Sequence, residues 1–192
     1  MPSLVNVTLP NAFLYYDEWS VINAGELANH PNLIPRTPTA NVFNVNDLSA
    51  LSSTVTEIIV ENRCCRDPSF TVLDLTRFTN VRRIVIGDEA FMYVKEVKLI
   101  GLSKLESVEI GVNSFTQHKN SWGNDPNRHF YLKNCPKLKS LKMGRYSFSD
   151  YTVIEIENVD ALEVIEMGEL NEESNNFYSA SLQLSSVIVC AE

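Results

Sequence analysis

Apolar residues recur along most of this chain in doublets of the form apolar-x-apolar. One series is Ile84/Ile86, Val108/Ile110, Leu141/Met143 and Ile165/Met167. A second series interleaves with it: Leu73/Leu75, Val97/Leu99, Phe130/Leu132, Ile154/Ile156 and Leu182/Leu184. Ile84 to Val97 is 13 residues and Val97 to Val108 is 11, and both intervals recur from Leu141 through Ile154 to Ile165. Alternation at period two predicts short strands with one face buried and the other solvated. A helix would need apolar positions three and four apart over about ten residues, and the units are too short for that.

The doublets sit in repeated units. VRRIVIGDEAF starts at Val81, LESVEIGVNSF at Leu105, LKSLKMGRYSF at Leu138 and LEVIEMG at Leu162, so the starts are 24, 33 and 24 residues apart. The middle interval is one period plus nine. One unit cannot bury its own apolar face, so copies must stack, each series forming a parallel sheet with strands ~4.8 Å apart. The spacing therefore predicts a mainly β solenoid with two short parallel strands per roughly 24-residue coil.

Glycine follows the first strand at 87, 111, 144 and 168, where a turn calls for positive φ or tight packing. Four positions on stand Phe91, Phe115 and Phe148, which predicts an aromatic spine in the core. Asn134 and Asn158 follow the second doublet and are expected to satisfy backbone groups at the turn. The spacing is looser upstream. Val55-x-x-Ile58-x-Val60 fits a first strand, Phe43-x-Val45-x-x-Leu48 suggests a second, and Leu4-x-x-Val7-x-Leu9 with Phe13 mimics a unit. Residues 1–53 thus read as an irregular N-terminal capping region with a degenerate repeat. Residues 54–192 read as the solenoid, in units near 55–80, 81–104, 105–137, 138–161 and 162–192.

LKSLKMGRYSF, YLKNCPKLKSL and IGDEAF carry a family resemblance. They are similar to leucine-rich repeats, and most closely to the irregular kind with an IGxxAF or IGxxSF signature found in BspA-like proteins and in repeat families of protists. The resemblance covers roughly Thr54 to Glu192. It implies protein–protein or adhesive recognition, with no catalytic residues. A second strand replaces the helix of the commonest leucine-rich pattern, so two sheets are expected and not a helix-backed horseshoe.

Composition narrows the partner. The 192 residues carry 16 Lys and Arg against 24 Asp and Glu, a net charge of −8, and no basic stripe suited to phosphates is visible. A nucleic-acid partner and an anionic membrane surface are disfavoured, and no apolar run reaches the ~18 residues of a membrane span. Cys64, Cys65, Cys135 and Cys190 form no disulfide framework, and the N-terminus lacks the basic and apolar regions of a signal peptide. A cytoplasmic chain with reduced thiols is favoured; a secreted or surface one follows if the sequence is truncated.

No catalytic motif or metal-ligand spacing is present, so no enzyme, cofactor or metal is expected. His118 and His129 flank the insertion as solvated loop histidines. The outward strand positions align Arg82, Glu106, Lys139 and Glu163 in one row and Val85, Glu109, Lys142 and Glu166 in another. These alternating charges either register the units or, at Glu109, Lys142 and Glu166, meet a protein partner. The insertion TQHKNSWGNDPNRH offers Trp122, Asn124, Asp125, Arg128 and His129, with Trp122 as an interface anchor or as a packed ring closing a passive loop. Two functions follow: a non-catalytic protein-recognition module, or a structural unit whose ends join other copies or further repeats. The second rests on Leu182-x-Leu184-x-x-Val187-x-x-Cys190, after which the chain stops in mid-repeat, leaving an edge open to self-association.

Overall fold

The computed structural model describes residues 39–118, 125–168, 174–178 and 180–185, all within the compact unit Thr39–Glu192. The unit-like stretch from Leu4 to Phe13 and the residues His30, Trp122, Asn124 and Cys190 lie outside the described residues. The fold is mainly β. One six-stranded parallel sheet runs β1 (Thr39–Val42), β2 (Glu57–Val60), β4 (Arg83–Ile86), β6 (Ser107–Ile110), β8 (Ser140–Met143) and β10 (Val164–Met167). A five-stranded parallel sheet holds β3 (Val72–Asp74), β5 (Glu96–Ile100), β7 (His129–Lys133), β9 (Val153–Glu157) and β11 (Ser181–Ser185). From β2 onward successive strands alternate between the sheets, as the 13 and 11 spacing requires.

Register follows the doublets. Ile58, Ile84, Val108, Leu141 and Ile165 are matched across the larger sheet, and Leu73, Val97, Phe130, Ile154 and Leu182 across the smaller. Inward residues of both sheets join one hydrophobic cluster in which Ile84, Val108, Leu141, Phe130 and Leu132 are fully buried. Burying one such side chain stabilises by roughly 1.5–3 kcal/mol. Phe91, Phe115 and Phe148 are buried and stacked, with ring centroids 5.2 and 4.6 Å apart, and Phe177 continues the stack 4.9 Å from Phe148.

Both requirements expected of the turn glycine after the first strand occur, but left-handed backbone is mostly carried by other residues. Of these glycines only Gly168 has positive φ (64°); at Gly87, Gly111 and Gly144 the requirement is room. A Cβ on Gly111 would lie 2.6 Å from the backbone nitrogen of Asp88. The left-handed residues are instead a pair two positions apart in each unit: Arg63/Cys65, Glu89/Phe91, Asn113/Phe115, Tyr146/Phe148 and Asn175/Phe177, with φ of 47–59°. Such a conformation costs an L-residue roughly 1–2 kcal/mol, so something must offset it. Hydrogen bonds between units do. The first residue of the pair donates forward (Glu89 N–H to Val112 O, 2.8 Å; Asn113 N–H to Arg145 O, 2.8 Å). The second donates backward (Phe115 N–H to Ala90 O, 2.9 Å; Phe148 N–H to Ser114 O, 3.1 Å). The residue between them adds a side-chain rung to the preceding unit's glycine carbonyl. Ser114 donates to Gly87 O, Ser147 to Gly111 O and Asn176 to Gly144 O, each at 2.7 Å.

After the second strand, Gly101, Asn134 and Asn158 occupy equivalent left-handed positions, the region that glycine and asparagine tolerate best. The Asn158 amide donates to the Asn134 side-chain oxygen at 2.8 Å, which links the two turns side chain to side chain.

A correction falls near the start. Phe43-x-Val45-x-x-Leu48 is not a second strand: Val45–Ala50 is helix α1. Asn44 and Asp47 form a reciprocal capping box that satisfies its first N–H groups, a signal that outweighs the apolar spacing. The strand of this region is β1, so the larger sheet takes in residues 39–42, upstream of residue 54.

Candidate partner-binding surface

The outward face of the larger sheet is built by alternation alone. With Ile84 and Ile86 inward, Arg83 and Val85 must point out, and likewise along every strand. Register then aligns Asn41, Ile59, Val85, Glu109, Lys142 and Glu166 in one row, and Thr39, Glu57, Arg83, Ser107, Ser140 and Val164 in its neighbour. Arg83 bridges the rows, 2.5 Å from Glu57 and 3.3 Å from Glu109. That bond and one from Thr39 hold the Glu57 carboxyl below its usual value despite partial burial. Lys142 lies 3.0 Å from Glu166, with both side chains more than half exposed. Arg82 and Glu106 pair at 2.7 Å just upstream of the strands. The alternating charges therefore engage one another, strand to strand.

Beside the row, an open groove of about 330 Å³ crosses the ends of β4, β6, β8 and β10. Gly87, Gly111, Gly144 and Gly168 line it on one side, and Val85, Glu109, Lys142 and Glu166 on the other. The glycines that let successive units approach closely thus also line the channel, together with Asp88. Glu109, Lys142 and Glu166 are brought together here.

Asp125, Arg128 and His129 form a separate cluster at the start of β7, in the smaller sheet. Arg128 corrects the sequence expectation most. The composition of the insertion predicts it at a partner interface, yet its side chain is 1% exposed. Its guanidinium donates to the carbonyls of Val94 (3.2 Å) and Phe115 (3.3 Å) and to the Gln117 side chain (2.8 Å). It also lies 3.5 Å from the equally buried Asp150. Asp150 accepts the N–H groups of Gln117 and His118 at 3.1 Å, which ties down the start of the insertion. Burial raises the Asp150 carboxyl above its ordinary value, with Arg128 and these donors opposing. Tyr151 closes the knot by donating to Val94 O at 2.8 Å.

His129 is likewise no solvated loop residue. It opens β7, half-buried, with Nδ1 2.7 Å from the Tyr131 hydroxyl and Nε2 2.9 Å from Pro126 O. A carbonyl only accepts, so Nε2 carries the proton of that contact. His118 is exposed. Asp125 is partly buried and 3.0 Å from Lys95. Burial would raise its carboxyl, but the Asn127 and Lys95 donors outweigh this and hold it below the usual value.

Sequence reasoning missed Arg83, Asp150 and Tyr151. The signal for Arg83 was present, because the position before Ile84 must face outward. Nothing local marks Asp150 or Tyr151, whose roles depend on partners 22 and 57 residues away.

Burial raises the thiols of Cys64, Cys65 and Cys135, the last to about 11, so none is poised as a thiolate nucleophile. Among the described residues no group of three or more His, Cys, Asp or Glu could hold a metal ion, and no helix is long and apolar enough to cross a membrane. Comparison with protein-family models, with curated proteins and with solved structures finds no match to this chain.

Proposed function

We propose that this chain is a non-catalytic protein-recognition module of leucine-rich-repeat type, irregular in its repeat and solenoidal in its stacking. What carries the reading is the channel along the larger sheet, where Glu109, Lys142 and Glu166 flank a line of glycines. Such a surface offers a partner charges at strand spacing beside an open groove. The resemblance of IGDEAF and LKSLKMGRYSF to the irregular leucine-rich repeats points the same way. The test is retention of proteins from the source organism's extract on the immobilised chain and on a Glu109→Lys/Lys142→Glu variant of unchanged circular dichroism. A protein held by the first and lost by the second supports the reading, and identical retention sinks it.

A specific observation favours a second reading, a structural unit that joins strands through its end. Ile165 and Met167 on β10 and Leu182 and Leu184 on β11 are 41–59% exposed, although their register partners on β8 and β9 are buried. Light scattering across a concentration series tests whether copies join.

A further inference from the structure

We propose that Cys64 and Cys65 are a two-electron redox site, closing to a disulfide between adjacent residues when hydrogen peroxide oxidises it. The site lies in the turn after β2 and needs no partner protein.

The repeat puts two thiols where the later turns carry other chemistry. Arg63 and Cys65 are the left-handed pair of this unit, with φ of 59° and 57°. Cys64 therefore stands at the place of Ala90, Ser114, Ser147 and Asn176, and Cys65 at the place of Phe91, Phe115, Phe148 and Phe177. Phe70 supplies a ring 6.0 Å from Phe91, so the spine continues without a large side chain at residue 65. Both cysteines are free thiols, 4% and 6% exposed, with their sulfurs 2.7 Å apart. That is well inside the roughly 3.5–4.0 Å at which even carbon atoms pack, and closure to a sulfur–sulfur bond requires a movement of only about 0.7 Å. The backbone keeps the sulfurs there. Arg63 N–H donates to Asp88 O at 2.7 Å and Phe91 N–H to Cys64 O at 3.1 Å, which anchors this turn to the next unit.

Proximity, and not acidity, is what the pair offers. Burial raises both thiols, and the hydrogen bond between them opposes this at Cys64 and adds to it at Cys65. Cys64 is thus the sulfur that ionises and Cys65 the one that keeps its proton. The Cys64 thiolate attacks hydrogen peroxide, the O–O bond breaks, and hydroxide leaves a sulfenic acid behind. The Cys65 sulfur then attacks the Cys64 sulfur; the S–S bond forms as the S–O bond breaks, and the departing oxygen takes the Cys65 proton as water. Two thiols and one peroxide give one disulfide and two waters, and the peroxide gains the two electrons that the sulfurs lose. Adjacent Cα atoms lie ~3.8 Å apart, closer than the roughly 4.4–6.8 Å that disulfides usually span, so the ring is strained and reopens readily to thiols. Cys135 is the internal comparison. It is fully buried, and its sulfur faces the carbonyls of Leu99 and Lys133 at 3.5 and 3.4 Å.

The experiment treats the folded full chain with hydrogen peroxide, then unfolds it, alkylates it and maps the cysteines by mass spectrometry. The expected result is a peptide spanning residues 64 and 65 that has lost two hydrogens and takes no alkyl group, formed at least about tenfold faster than Cys135 is oxidised. Reduced glutathione should restore both thiols. In a Cys65→Ser chain the reaction should stop at the Cys64 sulfenic acid, which dimedone traps. Sulfinic acid at either residue of the parent chain, a disulfide to any other cysteine, or both thiols still alkylated once Cys135 is oxidised overturns the proposal. A ring that forms only after unfolding overturns it too, since the folded turn is then not what brings the sulfurs together.

Discussion

Arg128 and Asp150 meet at 3.5 Å inside the fold, each 1% exposed, beside the insertion between β6 and β7. Removing one partner leaves the other charge buried without compensation. Arg128→Met should therefore cost about 3–5 kcal/mol, whereas Arg128→Met with Asp150→Asn should recover part of that loss. Urea unfolding of the three proteins measures it. A single variant within about 1 kcal/mol of the parent would show that the pair is not what secures the insertion.

The left-handed backbone at Phe115 (φ 57°) inverts a familiar ranking. Phe115→Ala and Phe115→Gly both remove a buried ring stacked between Phe91 and Phe148, a loss of roughly 3–5 kcal/mol. Alanine keeps the conformational penalty that glycine escapes, so the glycine variant should be the more stable of the two by up to ~1 kcal/mol. Thermal unfolding of both variants decides this, and an alanine variant that outlasts the glycine one counts against the backbone argument.

Glu57 links stability to pH. Its folded-state value is lowered, chiefly by the Arg83 and Thr39 hydrogen bonds, so its contribution is present above the ordinary glutamate value and disappears as pH falls through the lowered one. Glu57→Gln should be destabilised at neutral pH by no more than about 1 kcal/mol, because Arg83 is partly solvated. The difference should shrink toward zero in acid. Paired denaturation curves from neutral pH to below pH ~4 follow it, and a gap that persists or widens there would contradict the linkage.

Much of this architecture is legible in the sequence because two alternating intervals leave few ways to arrange the strands. Register could be read as well, since Ile84, Val108 and Leu141 must align if their units stack. What escaped was chemistry that acts between units. The positive φ of Phe91, Phe115 and Phe148 leaves no mark, because the glycine four residues earlier draws the eye to the wrong turn position. Arg128 misled for a related reason: in a polar stretch beside tryptophan it looks exposed, and its partners inside the fold, Asp150 and the Val94 carbonyl among them, lie 22 and 34 residues away. The α1 helix was hidden by reading Val45 and Leu48 as a strand pattern when Asn44 and Asp47 already spelled its cap. The candidate surface was half visible, with Glu109, Lys142 and Glu166 readable by alternation and the channel beside them dependent on three-dimensional stacking.

The forward and backward bonds of the paired left-handed residues give each unit identical fittings on its two sides. Gene duplication or loss of one whole 24-residue period would leave every such junction chemically unchanged, so repeat number can drift in evolution at little energetic cost. An insertion of any other length breaks phase unless it leaves the sheets entirely. The nine extra residues between β6 and β7 leave the register of β7 with β5 and β9 unbroken, and they mark where new sequence can be accommodated without disturbing inheritance of the rest.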